Sequence, residues 1–429
     1  MIFVAVSLLK DLEELQTQGI ITSDVAGRIR DYYEKPKSGA SRMIIAFGIV
    51  GALLVGMGIV MILAHNWDDF SNPVKLTIGM MPLLAAQVIC GWLVLRKISS
   101  AAWREAASLL LIFSVATAIA IVSQVYNMGG SMSSFLLTWM LLCVPIPYLM
   151  QSRIASLFCW VVITWYAFES GNIFSHTRAP VYYWVLVLLL APYYIRQVQR
   201  EPQSNNVSWH NWIIALSVAM TFSLNRFESD DLLAPAFVTL FSIFVLIGQL
   251  PVFANRRLMA NGWLVVGSGS MIIVLLYLTF EWPQISGRSL DWWISPELFI
   301  WLGLTAIAVW FIRYLGKSNG YLNLLSKSYT FIAFLPLLVV GGYSEGLARV
   351  MTNLLILALG VYTIREGALE NKLWKMNYGL LILSILIICR FFDTELSFVI
   401  RGLLFVGIGL GFFLMNYYAV RKRKPVPSP

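Results

Sequence analysis

Long apolar runs separated by short polar stretches repeat along almost the whole chain. As a helix, about 20 mostly apolar residues cross the ~30 Å hydrocarbon core of a membrane. The alternation of polar and apolar positions that is typical of membrane β-barrels is absent. Because a helix satisfies its own backbone in lipid, the pattern predicts an all-α fold, a polytopic transmembrane bundle of about fourteen helices. The predicted spans are residues 43–64, 74–95, 106–126, 134–150, 154–169, 180–195, 209–224, 232–253, 261–280, 294–314, 327–343, 346–364, 373–390 and 396–420.

The predicted spans between residues 134 and 224 are short and contain prolines. Pro145, Pro147 and Pro192 each lack the backbone N–H that a helix interior needs. We therefore expect a kink or a re-entrant segment here. The predicted number of spans between residues 134 and 224 is accurate to within two.

A charged segment precedes the first span. Leu8, Leu12 and Leu15 share one face of a first helix, Gly19 ends it, and Ser23 or Asp24 caps a second one. We expect residues 1–42 to form a cytoplasmic helical hairpin, residues 43–420 the transmembrane bundle, and residues 421–429 a basic cytoplasmic tail. The hairpin is interpreted as a small cap on the bundle, with docking of a protein partner as the alternative.

Composition and charge support a membrane location. The chain is 59% hydrophobic and 12% charged, with mean hydropathy +0.74, so lipid is its solvent. Lys and Arg concentrate in alternate loops, a bias that keeps loops in the cytoplasm and predicts that both termini are cytoplasmic. The net charge of +9 then favours binding to membrane lipids, and no nucleic-acid partner is expected.

Motifs for metal or redox chemistry are missing, because HExxH and CxxC do not occur and His65, His176 and His210 each stand alone. The pattern GxSxG occurs once, at residues 342–346, between two predicted membrane spans and without the preceding strand that a serine nucleophile of this type needs. Neither a metal nor another cofactor is expected. The cysteines have no paired spacing and are interpreted as small apolar packing residues: Cys90, Cys143, Cys159 and Cys389.

Polar residues gather where three predicted spans reach the outer surface. The candidate binding residues are His65, Asn66, Trp67, Asp68, Asp69, Gln124, Tyr126, Asn127, Arg390, Asp393 and Arg401. One interpretation is that they are interface anchors with local ion pairs. The other is a polar vestibule in which Arg390 and Arg401 hold an anionic group such as a phosphate. In that case Asp68, Arg390 and Arg401 face one cavity.

Three stretches carry a resemblance to a known family. They are "GIVMILAHNWDDFSNPVKL", "SQVYNMGG" and "IREGALENKLWKMNYGLLILSILIICRFFDTELSFVIRGLLFVGIGL". Together they resemble the bacterial membrane-protein family called domain of unknown function 2157, over the first ~170 and the last ~80 residues. The resemblance implies a multi-pass protein of the bacterial inner membrane and brings no established activity.

Three functions fit these patterns. The first is a transporter or flippase for an amphiphilic or lipid-linked anion, because many spans with short loops suit alternating access. The second is a membrane-embedded glycosyltransferase, since "WDDF" resembles the acidic first-loop motif of polyprenyl-phosphate-sugar-dependent enzymes, with Asp68 or Asp69 as the base. The third is a non-catalytic scaffold subunit. Transport is preferred, so the protein is not expected to be an enzyme.

Overall fold

The fold is a bundle of α-helices in the computed structural model. The structure describes residues 15–34, 67–171, 181–224, 232–282, 295–319 and 334–391, except positions 17, 99, 255 and 371, together with position 61 and scattered positions between 397 and 413. In these ranges there are helices, turns and loops and no strand. The all-α fold class predicted from the apolar runs is confirmed.

Fourteen α-helices have defined bounds in the described ranges. They are α1 (Ser23–Glu34), α2 (Asn72–Leu95), α3 (Ala101–Val125), α4 (Met132–Cys143), α5 (Pro145–Met150), α6 (Arg153–Gly171), α7 (Val181–Arg200), α8 (Asn205–Ser223), α9 (Leu233–Gly248), α10 (Pro251–Ala254), α11 (Gly262–Phe280), α12 (Pro296–Asn319), α13 (Glu345–Leu369) and α14 (Leu373–Phe391). Residues 334–341 are also helical.

Nine helical segments in the described ranges are long and apolar enough to cross a membrane, with α4 and α5 counted together as Met132–Met150. The protein is therefore an integral membrane protein with multiple spans. The predicted span 43–64 lies outside the described residues, as does most of 396–420.

The helices α8 and α9 are not among these nine segments. The helix α8 is too polar to be among the nine, and α9 has 16 residues. Of these, 12 are buried, so α9 is covered on nearly all sides. The spans α6 and α11 bury half of their most apolar window, compared with 17% for α12. The centre of the bundle is thus built from α6, α8, α9 and α11.

Glycines let α11 approach its central neighbours closely. A Cβ atom on Gly262 would lie 2.5 Å from the backbone nitrogen of Trp212 in α8, and one on Gly267 would lie 2.8 Å from the Phe244 Cβ in α9. Both distances are shorter than a real Cβ contact. These positions therefore require glycine, as small residues commonly do where helices pack in lipid.

The hairpin of α13 and α14 packs by the same principle. Gly360 and Gly379 face each other across the hairpin, and a Cβ on Gly379 would lie 2.7 Å from the Gly360 carbonyl oxygen. Nearer the turn, a Cβ on Gly367 would lie 2.6 Å from the backbone nitrogen of Met376. The two helix backbones are therefore in close contact in the part of the hairpin next to the turn.

Prolines interrupt the fourth membrane segment, as the sequence predicts. The helix stops at Cys143 and restarts at Pro145. Tyr148, in the restarted piece, donates its hydroxyl hydrogen to the Leu189 carbonyl in α7 and accepts a hydrogen bond of 3.2 Å from the Tyr193 backbone N–H. In an unbroken helix these two backbone groups bond to each other. The Tyr148 hydroxyl is thus inserted into α7 beside Pro192.

The chain divides into two units, residues 1–78 and residues 79–429. In the first unit Gly19, with φ +69°, ends a helical turn. Its N–H bonds to the Gln16 carbonyl and that of Ile20 to the Leu15 carbonyl, which is the Schellman pattern. The helix α1 then begins at Ser23, so Gly19 ends a helical turn as predicted, whereas the first helix of the predicted hairpin lies mostly outside the described residues.

Candidate functional site

The turn before α2 carries the tryptophan and the aspartates of the first predicted cluster. Trp67 packs edge-on against Phe70, with ring centroids 6.5 Å apart. The Lys75 ammonium lies 5.6 Å from the Trp67 ring centroid. Asp68 and Asp69 are exposed on this turn. The described part of the cluster is therefore an aromatic contact with a cation, beside two exposed carboxylates.

The second predicted cluster ends α3. Asn127 has φ +48°, a left-handed conformation that asparagine tolerates better than most residues. The Met128 N–H donates to the Ser123 carbonyl at 2.9 Å, and the Asn127 N–H donates to the Gln124 carbonyl at 3.3 Å. Asn127 therefore terminates α3, and this structural role explains why an asparagine stands at position 127. The side chains of Gln124, Tyr126 and Asn127 are exposed.

Arg390 lies in the last turn of α14 and contacts the end of α11. Its Nη2 donates to the Thr279 hydroxyl at 2.7 Å, and its guanidinium carbon lies 4.4 Å from the Phe280 ring centroid. The side chain is half-buried. These two contacts hold a positive charge at this end of the bundle, which we call the Arg390 end.

Four predicted site residues lie outside the described residues: His65, Asn66, Asp393 and Arg401. The shared cavity for Asp68, Arg390 and Arg401 therefore stays a prediction.

The structure reveals a second polar region, around α8. His210 is fully buried in the second turn of this helix. Its Nδ1 lies 2.8 Å from the Asn206 carbonyl oxygen, and its Nε2 lies 3.1 Å from the Ser156 hydroxyl of α6. The ring of Tyr194, from α7, stacks on the imidazole with centroids 6.0 Å apart. A histidine that stands alone in the sequence thus has partners from two other helices.

The neighbouring residue Asn211 joins α8 to α7 and α11. The Tyr194 hydroxyl donates to Asn211 Oδ1 at 2.6 Å and accepts from the Trp263 indole N–H at 2.9 Å. Asn211 is fully buried and Trp263 is 6% exposed. A chain of two hydrogen bonds therefore crosses three helices inside the bundle.

Two turns further along α8, Ser217 makes the next polar contact. The Thr164 hydroxyl of α6 lies 2.6 Å from the Ser217 oxygen, and the Tyr183 hydroxyl of α7 lies 2.7 Å from it. We call the residues that join α8 to α6, α7 and α11 the polar core: Ser156, Thr164, Tyr183, Tyr194, His210, Asn211, Ser217 and Trp263.

Two buried N–H donors at this level have no acceptor in the part of the chain that the structure describes. They are Asn211 Nδ2 and the indole nitrogen of Trp160. Trp160 is 1% exposed and lies on α6 one turn from Ser156 and one turn from Thr164. A buried donor without an acceptor costs about 1–3 kcal/mol. Donors of this kind are suited to an oxygen atom of a bound molecule.

Arg256 fixes the start of α8 from the loop before α11. Its Nη1 donates to the Ser208 hydroxyl at 2.5 Å, and its Nη2 donates to the backbone carbonyls of Pro202 and Ser204. Partial burial lowers the pKa of Arg256, an effect that Tyr194 opposes. The group stays protonated because guanidinium titrates far above neutral pH. We call this side of the bundle the Arg256 end.

Glu105 caps α6 at the Arg256 end. One carboxylate oxygen accepts from the Arg153 backbone N–H at 2.9 Å, and the other accepts from the Ile154 N–H at 3.0 Å and from the Ser152 hydroxyl. A negative charge at this position matches the helix dipole. Arg153 in turn pairs with Glu201 at 2.6 Å.

The two polar regions lie at opposite ends of the bundle. Trp263, in the polar core, and Thr279, the partner of Arg390, are sixteen residues apart on α11, which is about 24 Å along a helix. The polar core is thus near the Arg256 end, whereas the predicted anion site around Arg390 is at the opposite end.

No group of three His, Cys, Asp or Glu side chains among the described residues could hold a metal ion. The cysteines are free thiols, of which Cys90, Cys143 and Cys159 are buried.

The sequence contained a signal for the polar core. The polar stretch "NNVSWHN" at residues 205–211 overlaps the start of the predicted span 209–224. A polar segment that the helix continues into the bundle must be paired there. The partners on α6, α7 and α11 lie far away in sequence, and no local pattern indicates them.

Residues 13–156 match the family model described as "Predicted membrane protein (DUF2157)". The resemblance stated from the sequence motifs is confirmed over this stretch, which is about a third of the chain. No curated protein matches the chain, and no solved structure does.

Proposed function

We propose that the protein is a transporter that moves an amphiphilic anion, such as a lipid-linked phosphate, across the membrane. The observation that carries this proposal is the polar core, with the buried donors of Asn211 and Trp160 beside it. Polar groups are expensive inside a membrane bundle, and they mark substrate pathways. Hydrogen bonds between membrane helices add only about 0.6 kcal/mol each on average, so stability alone is a weak reason to place them there.

The Arg390 end supplies the charge that an anion needs. Contacts with Thr279 and Phe280 fix the Arg390 guanidinium at this end of the bundle. An arginine fixed in this way can bind a phosphate or carboxylate with charge-assisted hydrogen bonds. The anionic group is first bound at Arg390 and then passes towards Asn211.

Transport also fits the shape of the membrane segments. The α4–α5 segment is interrupted, and α7 carries Pro192 with the inserted Tyr148 hydroxyl. Interrupted helices are common in transporters, where they supply backbone groups to the substrate and permit rearrangement. The exposed turn that carries Asp68 and Asp69 gives less support to a transferase, because a catalytic base is usually shielded from bulk water.

The test uses proteoliposomes of phosphatidylcholine that contain a trace of fluorescently labelled phosphatidylglycerol. Dithionite added outside bleaches only the outer leaflet, so the slow phase of bleaching reports movement from the inner leaflet. We expect the protein to accelerate this phase. Arg390→Gln should slow it by about tenfold, the effect of one charge-assisted hydrogen bond. Asn211→Leu should slow it as well.

Matched controls separate these effects from general damage. Arg349→Gln removes an arginine that pairs with Glu345 at 3.7 Å, and Asn353→Leu removes an asparagine whose amide bonds to its own helix at the Arg349 carbonyl. Both should retain the wild-type rate. Mass spectrometry of the gently purified protein is the second measurement, and it should detect a retained lipid phosphate. No acceleration together with no retained anion would overturn the proposal.

A further inference from the structure

We propose that His210 is a proton-binding site that couples this transport to a proton gradient. The coupling rests on the proposed function, whereas the binding of a proton by His210 does not. The inference starts from the bonds of the imidazole ring, and it continues along a series of hydroxyl groups that leads from His210 to the Arg256 end.

The surroundings of His210 satisfy the ring in both protonation states. The Asn206 carbonyl accepts hydrogen bonds only, so Nδ1, 2.8 Å away, carries a hydrogen. Nε2 faces the Ser156 hydroxyl at 3.1 Å. A hydroxyl donates to neutral Nε2 and accepts from protonated Nε2–H after a rotation. Protonation therefore requires no movement of the ring, although the residue is fully buried.

A series of polar groups leads from the Arg256 end to this ring. The Glu105 carboxylate accepts a hydrogen bond from the Ser152 hydroxyl. Ser152 precedes α6, where its hydroxyl accepts from the Ala155 N–H at 3.1 Å and its carbonyl accepts from the Ser156 N–H at 3.4 Å. Both serines are fully buried, and the proposal includes a water that bridges their hydroxyls. The order is thus Glu105, Ser152, Ser156 and His210.

The charged and titratable groups around His210 come from four elements. Glu105 on α3 is negative, and Arg153 on α6 is paired with Glu201. On α7, Tyr194 stacks on the imidazole, where its ring face favours a cation. Arg256, in the loop before α11, opposes protonation, but its charge is directed at the Pro202 and Ser204 carbonyls and the Ser208 hydroxyl.

The hydroxyl series is interrupted beyond His210. The next hydroxyls on the α6–α8 contact are Thr164 and Ser217, two turns from Ser156 and His210. Trp160 occupies the position between Ser156 and Thr164 on the same stripe of α6. A proton on His210 is thereby connected to the Arg256 end and separated from the hydroxyls further along, as a coupling site requires in one of its two states.

The proton step balances with water as the source. A proton from the solution at the Arg256 end enters at Glu105 and is passed through the Ser152 hydroxyl and the bridging water to Ser156. The Ser156 hydroxyl gives its own proton to Nε2 and receives the incoming one. The products are the His210 imidazolium and an unchanged Glu105 carboxylate, and no other bond changes.

The first experiment measures proton binding directly. The full-length protein, labelled with ¹⁵N-histidine, is placed in lipid nanodiscs and followed by NMR from pH 8 to pH 5, and the His210 signals are identified as those lost in His210→Gln. We expect the ring to convert reversibly from the neutral form protonated at Nδ1 to the doubly protonated form while the protein stays folded. A ring that stays neutral until the protein unfolds would overturn the proton site.

Ser156→Ala and Ser242→Ala form a matched pair for this measurement. Ser156→Ala removes the hydroxyl on Nε2, whereas Ser242→Ala removes a buried hydroxyl that bonds to its own helix at the Val238 carbonyl. The first should slow proton exchange at His210 about tenfold, as expected for one lost hydrogen bond of the stronger kind, and the second should leave it unchanged. Equal exchange rates in both variants would contradict the proposed path.

The second experiment tests coupling in the proteoliposomes described above. An imposed pH gradient should accelerate movement of the labelled lipid in the wild type and should have no effect in His210→Gln. If lipid movement in the wild type does not depend on the pH gradient, the proposed proton coupling is wrong, whereas the proposed transport function is retained. If the protein does not accelerate lipid movement but His210 titrates as expected, the proposed transport function is wrong, whereas the proton-binding site is retained.

Discussion

The backbones of α13 and α14 touch where three glycines lack side chains, whereas α8 is joined to its neighbours by hydroxyl, amide and imidazole groups. In the hairpin, the charged side chains lie at the two ends, with Lys375 contacting Glu366 and Glu370 at the turn and Arg349 contacting Glu345 at the open end. Around α8 the polar groups lie inside the bundle. Close packing suffices for two helices in lipid. The comparison therefore teaches that the polar core is retained for something more than cohesion.

The largest expected effect is in the hairpin. Gly379→Leu places a side chain where the Gly360 carbonyl oxygen is 2.7 Å from the ideal Cβ position, so the two helices must separate. We expect a loss of about 3 kcal/mol in the free energy of unfolding, measured by titration from dodecyl maltoside into dodecyl sulfate. The control is Gly269→Leu on α11, which meets nothing within 4 Å among the described residues. Equal losses in both variants would contradict the close contact.

A smaller effect is expected in the polar core. Tyr194→Phe leaves Asn211 Oδ1 and the Trp263 indole N–H without their shared partner. We expect a loss of about 1–2 kcal/mol in the free energy of unfolding, together with slower lipid movement. Tyr314→Phe serves as the control because Tyr314 is 52% exposed and stacks on Trp310 through its ring. Unchanged stability and unchanged transport in Tyr194→Phe would remove the polar core from both proposals.

The smallest effect concerns the turn of the hairpin and its pH dependence. Hydrogen bonds from Lys372 and Lys375 lower the pKa of Glu370. Because the folded-state pKa lies below the unfolded one, the stabilisation is present at neutral pH and is lost as the pH falls through the folded-state pKa. We expect a change on the order of 0.5 kcal/mol. It should be seen as a lower thermal midpoint in acid, and Glu370→Gln should abolish this part of the pH dependence.

The helices could be predicted from the sequence because a membrane helix needs a continuous run of apolar residues, which is a local feature of the chain. The interruption near Pro145 was also predictable, since a proline removes a backbone donor wherever it stands. The polar core could not be predicted in the same way. His210 is not part of a local sequence motif. Its contacts with Ser156 and Tyr194 depend on which helices pack against α8. For Arg390 the sequence indicated the charge and its place at a span end, while the contacts with Thr279 and Phe280 depend on the packing of α14 against α11.

The low hydropathy of α8 has a consequence for how the protein enters the membrane. A segment that begins "NNVSWHN" does not partition into lipid by itself, since insertion is governed by the summed transfer free energy of the residues. The following helix, α9, has 16 residues and is short for a span. We therefore expect α8 and α9 to be inserted together, against α6 and α7 that have already been synthesised. The bonds of His210, Asn211 and Ser217 to those earlier helices would form during biosynthesis, before the last spans leave the ribosome.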